Sequence, residues 1–294
     1  MAKVRKVIIP VAGMGTRFLP ATKVQPKEML PIADKPVVHY LVEEAVESGI
    51  EEILFIINSN KHVIGDYFAR DLDLENFLKE RGKHDLLDQI KHIHDMAHFM
   101  YVHQDEPLGS GDAVMRGRSF INDEPFAVFY ADDVMAYPEG KPALKQLIDV
   151  YEDKQAAVMG LVDVPKEYTY KYGVIDGEKE AERLYKVNNV VEKPEPAEAP
   201  STLASVGRLV LTPDVFEHLE NAPLIKKEVY LASALGTLAE NGKMYGYEMD
   251  ADWHDCGNKF GFWKANFEMG LENKIIKEEA QEYLKKYFED NFNG

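Results

Sequence analysis

The sequence predicts an α/β fold with a central, mainly parallel sheet, on two observations. Short β-branched apolar runs alternate with helical patterns through the first half of the chain. The composition can also build a core: of 294 residues, 45% are hydrophobic and 29% charged, a balance too apolar for wholesale disorder.

Taken in order, Val4 to Ile9 reads as a buried strand, and residues 10–35, with four prolines and two glycines, read as a long functional loop. Pro36 suits a first helical position, Val37, Tyr40, Leu41, Ala45 and Val46 then share one face, and Gly49 supplies a stop. Ile53 to Ile57 is a second strand, residues 60–95 look helical and polar, and Tyr101 to His103 close a third strand. Asp112 to Phe120 read as a helix led by Gly109 and Gly111. Ala127 to Tyr130 form a fourth strand running into Asp132 and Asp133, followed by a helix over 141–153 and a fifth strand at Ala156 to Val162. Acids at the C-terminal end of a strand in such a sheet stand where ligands bind.

From about residue 164 the pattern shortens to extended pieces at Tyr172 to Ile175, Leu184 to Glu192 and Leu203 to Leu211, then helices near 213–221 and 228–241. This half reads as α+β and is expected to carry a second substrate. Residues 258–294 look like two helices: Asn258 to Leu271 carries Phe260, Trp263 and Phe267, and Ile275 to Phe292 is charged with an apolar stripe, suited to a lid or subunit contact.

Charge and cysteine usage narrow the function classes. The chain holds 34 basic and 51 acidic residues, a formal charge of -17, so its field repels nucleic acid and anionic membranes. A single cysteine, Cys256, allows no internal disulfide, and no signal sequence or apolar run of about 20 residues is evident. A cytoplasmic location is expected.

The loop Val11 to Pro31, VAGMGTRFLPATKVQPKEMLP, follows the first strand directly. Gly13 and Gly15 can take positive φ cheaply, and successive amides in such a turn form a concavity for phosphate oxygens. Arg17 and Lys27 place two cations beside it in an otherwise acidic chain, as a triphosphate site requires. The GxGxxG pattern fails because Phe18 stands at its third glycine, and no GxxxxGK[ST] is present.

The full string GxGTRxxPxTxxxPKxxLP resembles the signature of sugar-nucleotide pyrophosphorylases. PKEMLPI with KPVVHYLVEEAVESGI closely resembles the bacterial UTP:glucose-1-phosphate uridylyltransferases, and VHQDEPLGSGDAV, ADD, YGVI, VVEKP, SVGRLVL and HDCGNKFG follow in that family's order. The resemblance implies a Rossmann-like α/β nucleotidyltransferase fold, one domain over 1–294 with a nucleotide-binding half (1–163), a sugar-binding half (164–257) and C-terminal helices (258–294). It implies formation of UDP-glucose and pyrophosphate from UTP and glucose 1-phosphate with Mg2+, by a homodimer or homotetramer.

By the same resemblance, Ala12, Gly13, Gln104 and Gly109 bind uracil, Gly15 belongs to the phosphate turn, and Arg17 and Lys27 hold the triphosphate. Asp132 and Asp255 coordinate Mg2+, Glu192 binds sugar hydroxyls, Lys193 binds the sugar phosphate, and Gly173, Val206 and Gly207 line the sugar pocket. The sugar phosphate is already an anionic nucleophile, so positioning and charge neutralisation suffice for in-line attack on the α-phosphorus. Asp133 reads as a cap of the following loop and Cys256 as packing. Five histidines (His84, His92, His94, His98, His103) lie close in sequence but lack a metal-ligand spacing.

Several positions depart from that family's pattern. Ser110 and Asp112 stand where PLGLGHAV has Leu and His, Ala131 replaces the proline of PDD, and KKEVYLASAL replaces GEIQLTDAI, leaving Ala232 and Ser233 in place of a Thr-Asp pair. The base loop and sugar pocket are expected to differ accordingly. Another hexose 1-phosphate, such as an N-acetylated one, is the alternative substrate. A catalytically silent sugar-nucleotide-binding regulator is the second class, and a nicotinamide oxidoreductase, which would have to bind NAD, the third.

Overall fold

Strands come first from the β-branched runs. A computed structural model describes residues 2–137 and 140–292. Its strands are β1 (Lys6–Pro10), β2 (Pro31–Ile32), β3 (Lys35–Pro36), β4 (Glu52–Ile57), β5 (His98–His103), β6 (Phe126–Phe129), β7 (Asp133–Ala136), β8 (Ala157–Asp163), β9 (Gly173–Ala181), β10 (Leu184–Glu192), β11 (Leu203–Leu211), β12 (Met244–Glu248) and β13 (Asp252–Asp255). Nine of them form one sheet in the order β5-β4-β1-β6-β11-β8-β12-β10-β9, and β2–β3 and β7–β13 form two small two-stranded antiparallel sheets.

The four N-terminal strands β5, β4, β1 and β6 are mutually parallel, as is the β8–β12 pair. The sheet is mixed beyond that: β11 inserts antiparallel between β6 and β8, and β10 runs antiparallel to β9 and β12. One sheet thus continues through both halves of the chain.

Side chains alternate across each strand, so the parallel strands feed two cores. Val7, Ile9, Ile53, Phe55, Ala127 and Phe129 face the helices Val37–Glu47 and Ala143–Lys154, through Val38, Leu41, Val42, Leu144 and Leu147. Ile8, Leu54, Ile56, Phe126 and Val128 face the opposite layer, through Ala113, Val114, Phe216, Leu231 and Leu235. Each fully buried Leu, Ile or Phe contributes about 1.5–3 kcal/mol.

The helix expected over Asp112 to Phe120 is two pieces, Ser110–Met115 and Arg118–Ile121. Gly117 parts them because the chain passes against the sheet there: a Cβ at 117 would overlap the Ile8 side chain and lie 3.2 Å from Leu54 Cδ2. The strands β7, β12 and β13 were not legible as such. Their pairing is long-range, and β12 in particular gains its place only between β8 and β10.

Beneath the sheet lies a buried ion pair. Arg208 on β11 donates from Nε (2.9 Å) and Nη2 (2.6 Å) to Glu44 of the helix Val37–Glu47. Its remaining donors reach Gly207 O and Asp133 O, both at 2.9 Å, and its guanidinium stacks 4.0 Å over the Phe129 ring. Full satisfaction is what permits a charged pair in a core. The pair fixes Gly207 and the turn before β7 at the rim of the sheet.

Candidate active site

The C-terminal ends of the four parallel strands deliver, in turn, the glycine loop (β1), Asn58 to Lys61 (β4), Gln104 (β5) and Asp132 (β6). This is the edge at which an open α/β sheet binds ligands. The glycine loop folds as three short 3-10 turns, Thr16–Phe18, Ala21–Lys23 and Lys27–Met29. Gly15 adopts φ 64°, and its carbonyl accepts from Thr22 Oγ1 at 2.7 Å. Gly13, contrary to the expectation, is not in the left-handed region; a Cβ there would meet nothing within 4 Å. Asn58 Nδ2 donates to Ala12 O at 2.6 Å, which anchors the start of the loop to β4.

Lys27 is aimed by its neighbours. Its ammonium pairs with the Asp132 carboxylate. The next residue, Glu28, is 1% exposed and accepts from Lys61 Nζ at 2.7 Å. Burial pulls the Lys61 ammonium pKa below its ordinary value, against the attraction of Glu28. The buried pair clamps the turn that carries Lys27 to the end of β4.

The β7–β13 pair sets Asp255 opposite Asp133 in register, and Cys256 N donates to Asp132 O at 2.7 Å. Asp255 Oδ1 accepts from Gly257 N at 2.9 Å. Its Oδ2 accepts from Asn258 Nδ2 at 2.9 Å and Tyr172 Oη at 3.3 Å. Arg17 Nη1 donates to Gly257 O at 3.1 Å. A Cβ on Gly257 would stand 2.8 Å from Asp132 Oδ2, 3.0 Å from Asp255 Oδ1 and 3.1 Å from Arg17 Nη1. Two carboxylate oxygens and a guanidinium therefore face one small space that only glycine leaves open. This donor set fits Mg2+, which takes one or two carboxylates and keeps the rest of its shell for water and phosphate oxygens. Among the described residues, no three or more His, Cys, Asp or Glu side chains form a closed cage.

Toward one side lies the loop from Gln104 to Asp112. Gln104 Nε2 donates to Gly109 O at 3.1 Å and to Asp112 Oδ2 at 2.7 Å. Gly109 requires glycine twice over, with φ 95° and a Cβ position that would overlap Val229 O. Gly111 N donates to Val229 O at 2.8 Å, and Leu231 N to Ser110 Oγ at 3.1 Å. The two segments that depart from the expected pattern thus pack on each other.

Toward the other side, Gly173 at the start of β9 pairs with Glu192 at the end of β10, and a Cβ on it would lie 3.2 Å from Glu192 Oε2. Lys193 takes φ 48° and donates its N–H to Tyr172 O at 3.0 Å. Its exposed ammonium is 3.2 Å from Glu192 Oε1. Tyr172 ties this corner to Asp255, and its ring meets Trp253 edge-on at 5.1 Å.

Residues 6–270 match the family described as nucleotidyl transferase. The chain belongs to that family. The UTP–glucose-1-phosphate uridylyltransferase 2 of Staphylococcus saprophyticus is 44% identical to it over 287 residues, 97% of this chain and 99% of the relative. A UTP-bound UGPase from Acinetobacter baumannii has TM-score 0.90 at 36% identity, over 96% of this chain and 98% of that one. A UDP-glucose pyrophosphorylase complexed with UDP-glucose has TM-score 0.83 at 38% identity, over 92% of this chain and 100% of that one. The α/β nucleotidyltransferase fold expected from the sequence is the fold of this chain.

In this nucleotidyl transferase, Arg17, Lys27, Asp132 and Asp255 converge around Gly257, whereas Glu192, Lys193 and Gly173 form a separate corner joined to them through Tyr172. Val206 is 4% exposed, on the core face shared by Val7 and Phe129. Gly207 N donates to Asp133 Oδ2 at 3.1 Å. Asp133 does more than cap a loop: it is 8% exposed and also accepts from Trp253 Nε1 at 2.6 Å. Burial pushes its carboxyl up to about 7, against the pull of that indole N–H and of Arg208. Cys256 is buried beside Ile32, Val37 and Ala265, and burial raises its thiol pKa far above the usual range, which suits packing. Sequence reading missed Asn58, Lys61, Tyr172 and Trp253 as supports. Tyr172 opens the YGVI string, a signal that carried no role until its hydroxyl was placed on Asp255.

Proposed function

We propose that this chain transfers a uridylyl group from UTP to glucose 1-phosphate, giving UDP-glucose and pyrophosphate. The observation that carries the reading is the small space over Gly257, where two carboxylates and Arg17 meet beside Lys27 at the C-terminal rim of a parallel sheet. Near full-length likeness to a uridylyltransferase supports it. No helix among the described residues is long and apolar enough to cross a membrane.

Asp132 and Asp255 would hold Mg2+, which supplies charge neutralisation on phosphate oxygens. The chain's own side chains bind and orient. Arg17 and Lys27 hold the triphosphate and neutralise departing pyrophosphate, and the Glu28–Lys61 clamp keeps Lys27 in place. Lys193 orients the sugar phosphate, with Glu192 and Gly173 on the hexose and Gly207 and Val206 behind. Ala12, Gly13, Gln104 and Gly109 hold the base, and Gly15 turns the loop beneath the phosphates. No general base is needed, since the nucleophile is already ionised. Residues 1–163 serve the nucleotide, 164–257 the sugar, and 258–294 self-association, for which the exposed stack of Phe260, Trp263 and Phe267 offers an apolar face.

The test is pyrophosphate release from UTP and Mg2+ with a panel of hexose 1-phosphates. Glucose 1-phosphate should be used fastest. Preference for an N-acetylhexosamine 1-phosphate would move the specificity, and no release with any sugar would leave only a binding protein.

A further inference from the structure

A buried primary amide reads a base edge reliably only if its two ends cannot exchange places. Gln104 is 7% exposed, and its Nε2 donates to Gly109 O and Asp112 Oδ2. A carbonyl and a carboxylate have only lone pairs to offer. Turning the amide over would set Oε1 against two acceptors and forfeit both bonds. Arg116 Nε donates to the same Asp112 oxygen at 2.8 Å, and Arg116 Nη1 donates to His103 O at 2.9 Å. These bonds link Asp112 back to the residue just before Gln104. Both bonds use Nε2, and among the described residues Oε1 accepts no hydrogen bond, which leaves it free to accept from a ligand.

We infer that Asp112 is a specificity-determining positioning residue: it locks Gln104 as a hydrogen-bond acceptor, so that the base site takes a pyrimidine bearing an N3–H and turns cytosine away. The inference rests on the uridylyl-transfer reading and deepens it. Uracil presents N3–H between two carbonyls, and thymine shares that edge. Cytosine presents a lone pair at N3, which would face the lone pairs of Oε1. Position 112 is also where this sequence departs from PLGLGHAV. A histidine there could donate or accept according to tautomer, whereas aspartate holds the amide one way round.

The test compares kcat/KM for pyrophosphate release with UTP, TTP and CTP in the full chain and its variants. The unmodified chain should prefer UTP to CTP. Asp112→Ala removes the shorter of the two bonds that orient the amide and leaves Gly109 O alone to hold it, so the UTP:CTP ratio should fall by about tenfold, the scale of one buried unpaired group. The UTP:TTP ratio should stay within about twofold, because both bases carry N3–H. Asp112→Asn should restore most of the UTP:CTP preference, since its carbonyl oxygen still accepts from Gln104 and Arg116. Asp112→Lys, which only donates, should lower the ratio further. An unchanged UTP:CTP ratio in both Asp112→Ala and Asp112→Lys, or equal losses on all three nucleotides, overturns the inference. Equal use of CTP and UTP by the unmodified chain overturns it while leaving uridylyl transfer intact. No pyrophosphate release from UTP by the unmodified chain overturns the parent reading itself.

Discussion

Replacing Gly257 with alanine adds one methyl group at the point where the site's charges meet. The new carbon would lie 2.8 Å from Asp132 Oδ2, 3.0 Å from Asp255 Oδ1 and 3.1 Å from Arg17 Nη1. Relaxed contacts of carbon with such atoms lie near 3.5 Å, so each group must retreat by several tenths of an ångström. A misplacement of about 1 Å in a site that works by positioning costs roughly 100-fold. A 10- to 100-fold fall in kcat/KM, about 1.4–2.7 kcal/mol of transition-state stabilisation, is therefore expected. Stability should change by less than about 1 kcal/mol, because the displaced side chains are polar and at the cleft, and alanine reduces the entropy of the unfolded chain. Pyrophosphate-release kinetics and a thermal unfolding scan separate the two effects. Turnover within twofold of the unmodified chain would show that nothing essential occupies the space over Gly257. A fall in kcat/KM matched by a large loss of Tm would show that the residue is structural.

Three further outcomes follow from single contacts. Lys61→Met removes the cation hydrogen-bonded to buried Glu28, leaving the Lys27 ammonium 3.9 Å from its other oxygen, and should destabilise by up to about 3–5 kcal/mol; adding Glu28→Gln should recover part of that in urea unfolding, and no recovery would remove the clamp. Lys193→Ala should cripple turnover with an unchanged Tm, since its ammonium is exposed and, among the described residues, pairs with Glu192 alone; near-normal turnover would take Lys193 out of the mechanism. Glu124, bonded to Arg5 and Lys6, has its carboxyl held down at about 2, below the roughly 4.3 of an unfolded glutamate. Its contribution is full above that unfolded value and is lost as pH falls through about 2. Unfolding curves of Glu124→Gln should therefore differ from the unmodified chain at neutral pH and converge in strong acid; a constant gap would contradict the assignment.

Much of the N-terminal half was legible because its strands are continuous apolar runs buried on both faces. Ile53 to Ile57 and Ala127 to Tyr130 needed no tertiary context to be read. The order of strands was not legible, since nothing local in β11 says that it inserts between β6 and β8. The same holds for buried charge. Arg208, Glu44, Glu28 and Lys61 look like surface residues until their partners, far away in sequence, are placed beside them. Candidate site residues at strand ends, such as Asp132 and Gln104, could be found from position and from the family resemblance. Tyr172 and Gly257 could not, because their roles are spatial: one bridges two corners and the other withholds a side chain. The glycine loop shows both cases, since Gly15 uses its left-handed freedom and Gly13 instead leaves open space.

The central claim is that Asp132 and Asp255 hold a divalent ion in a site that joins UTP to a sugar phosphate. The most direct measurement is a Mg2+ titration of pyrophosphate release from UTP and glucose 1-phosphate, run on the unmodified chain and on Asp132→Asn and Asp255→Asn. The account predicts saturable dependence on Mg2+, loss of release in excess chelator, and a fall of roughly 100- to 1000-fold in each variant at saturating nucleotide. Release that persists under chelation, or variants that turn over at the unmodified rate, would contradict it.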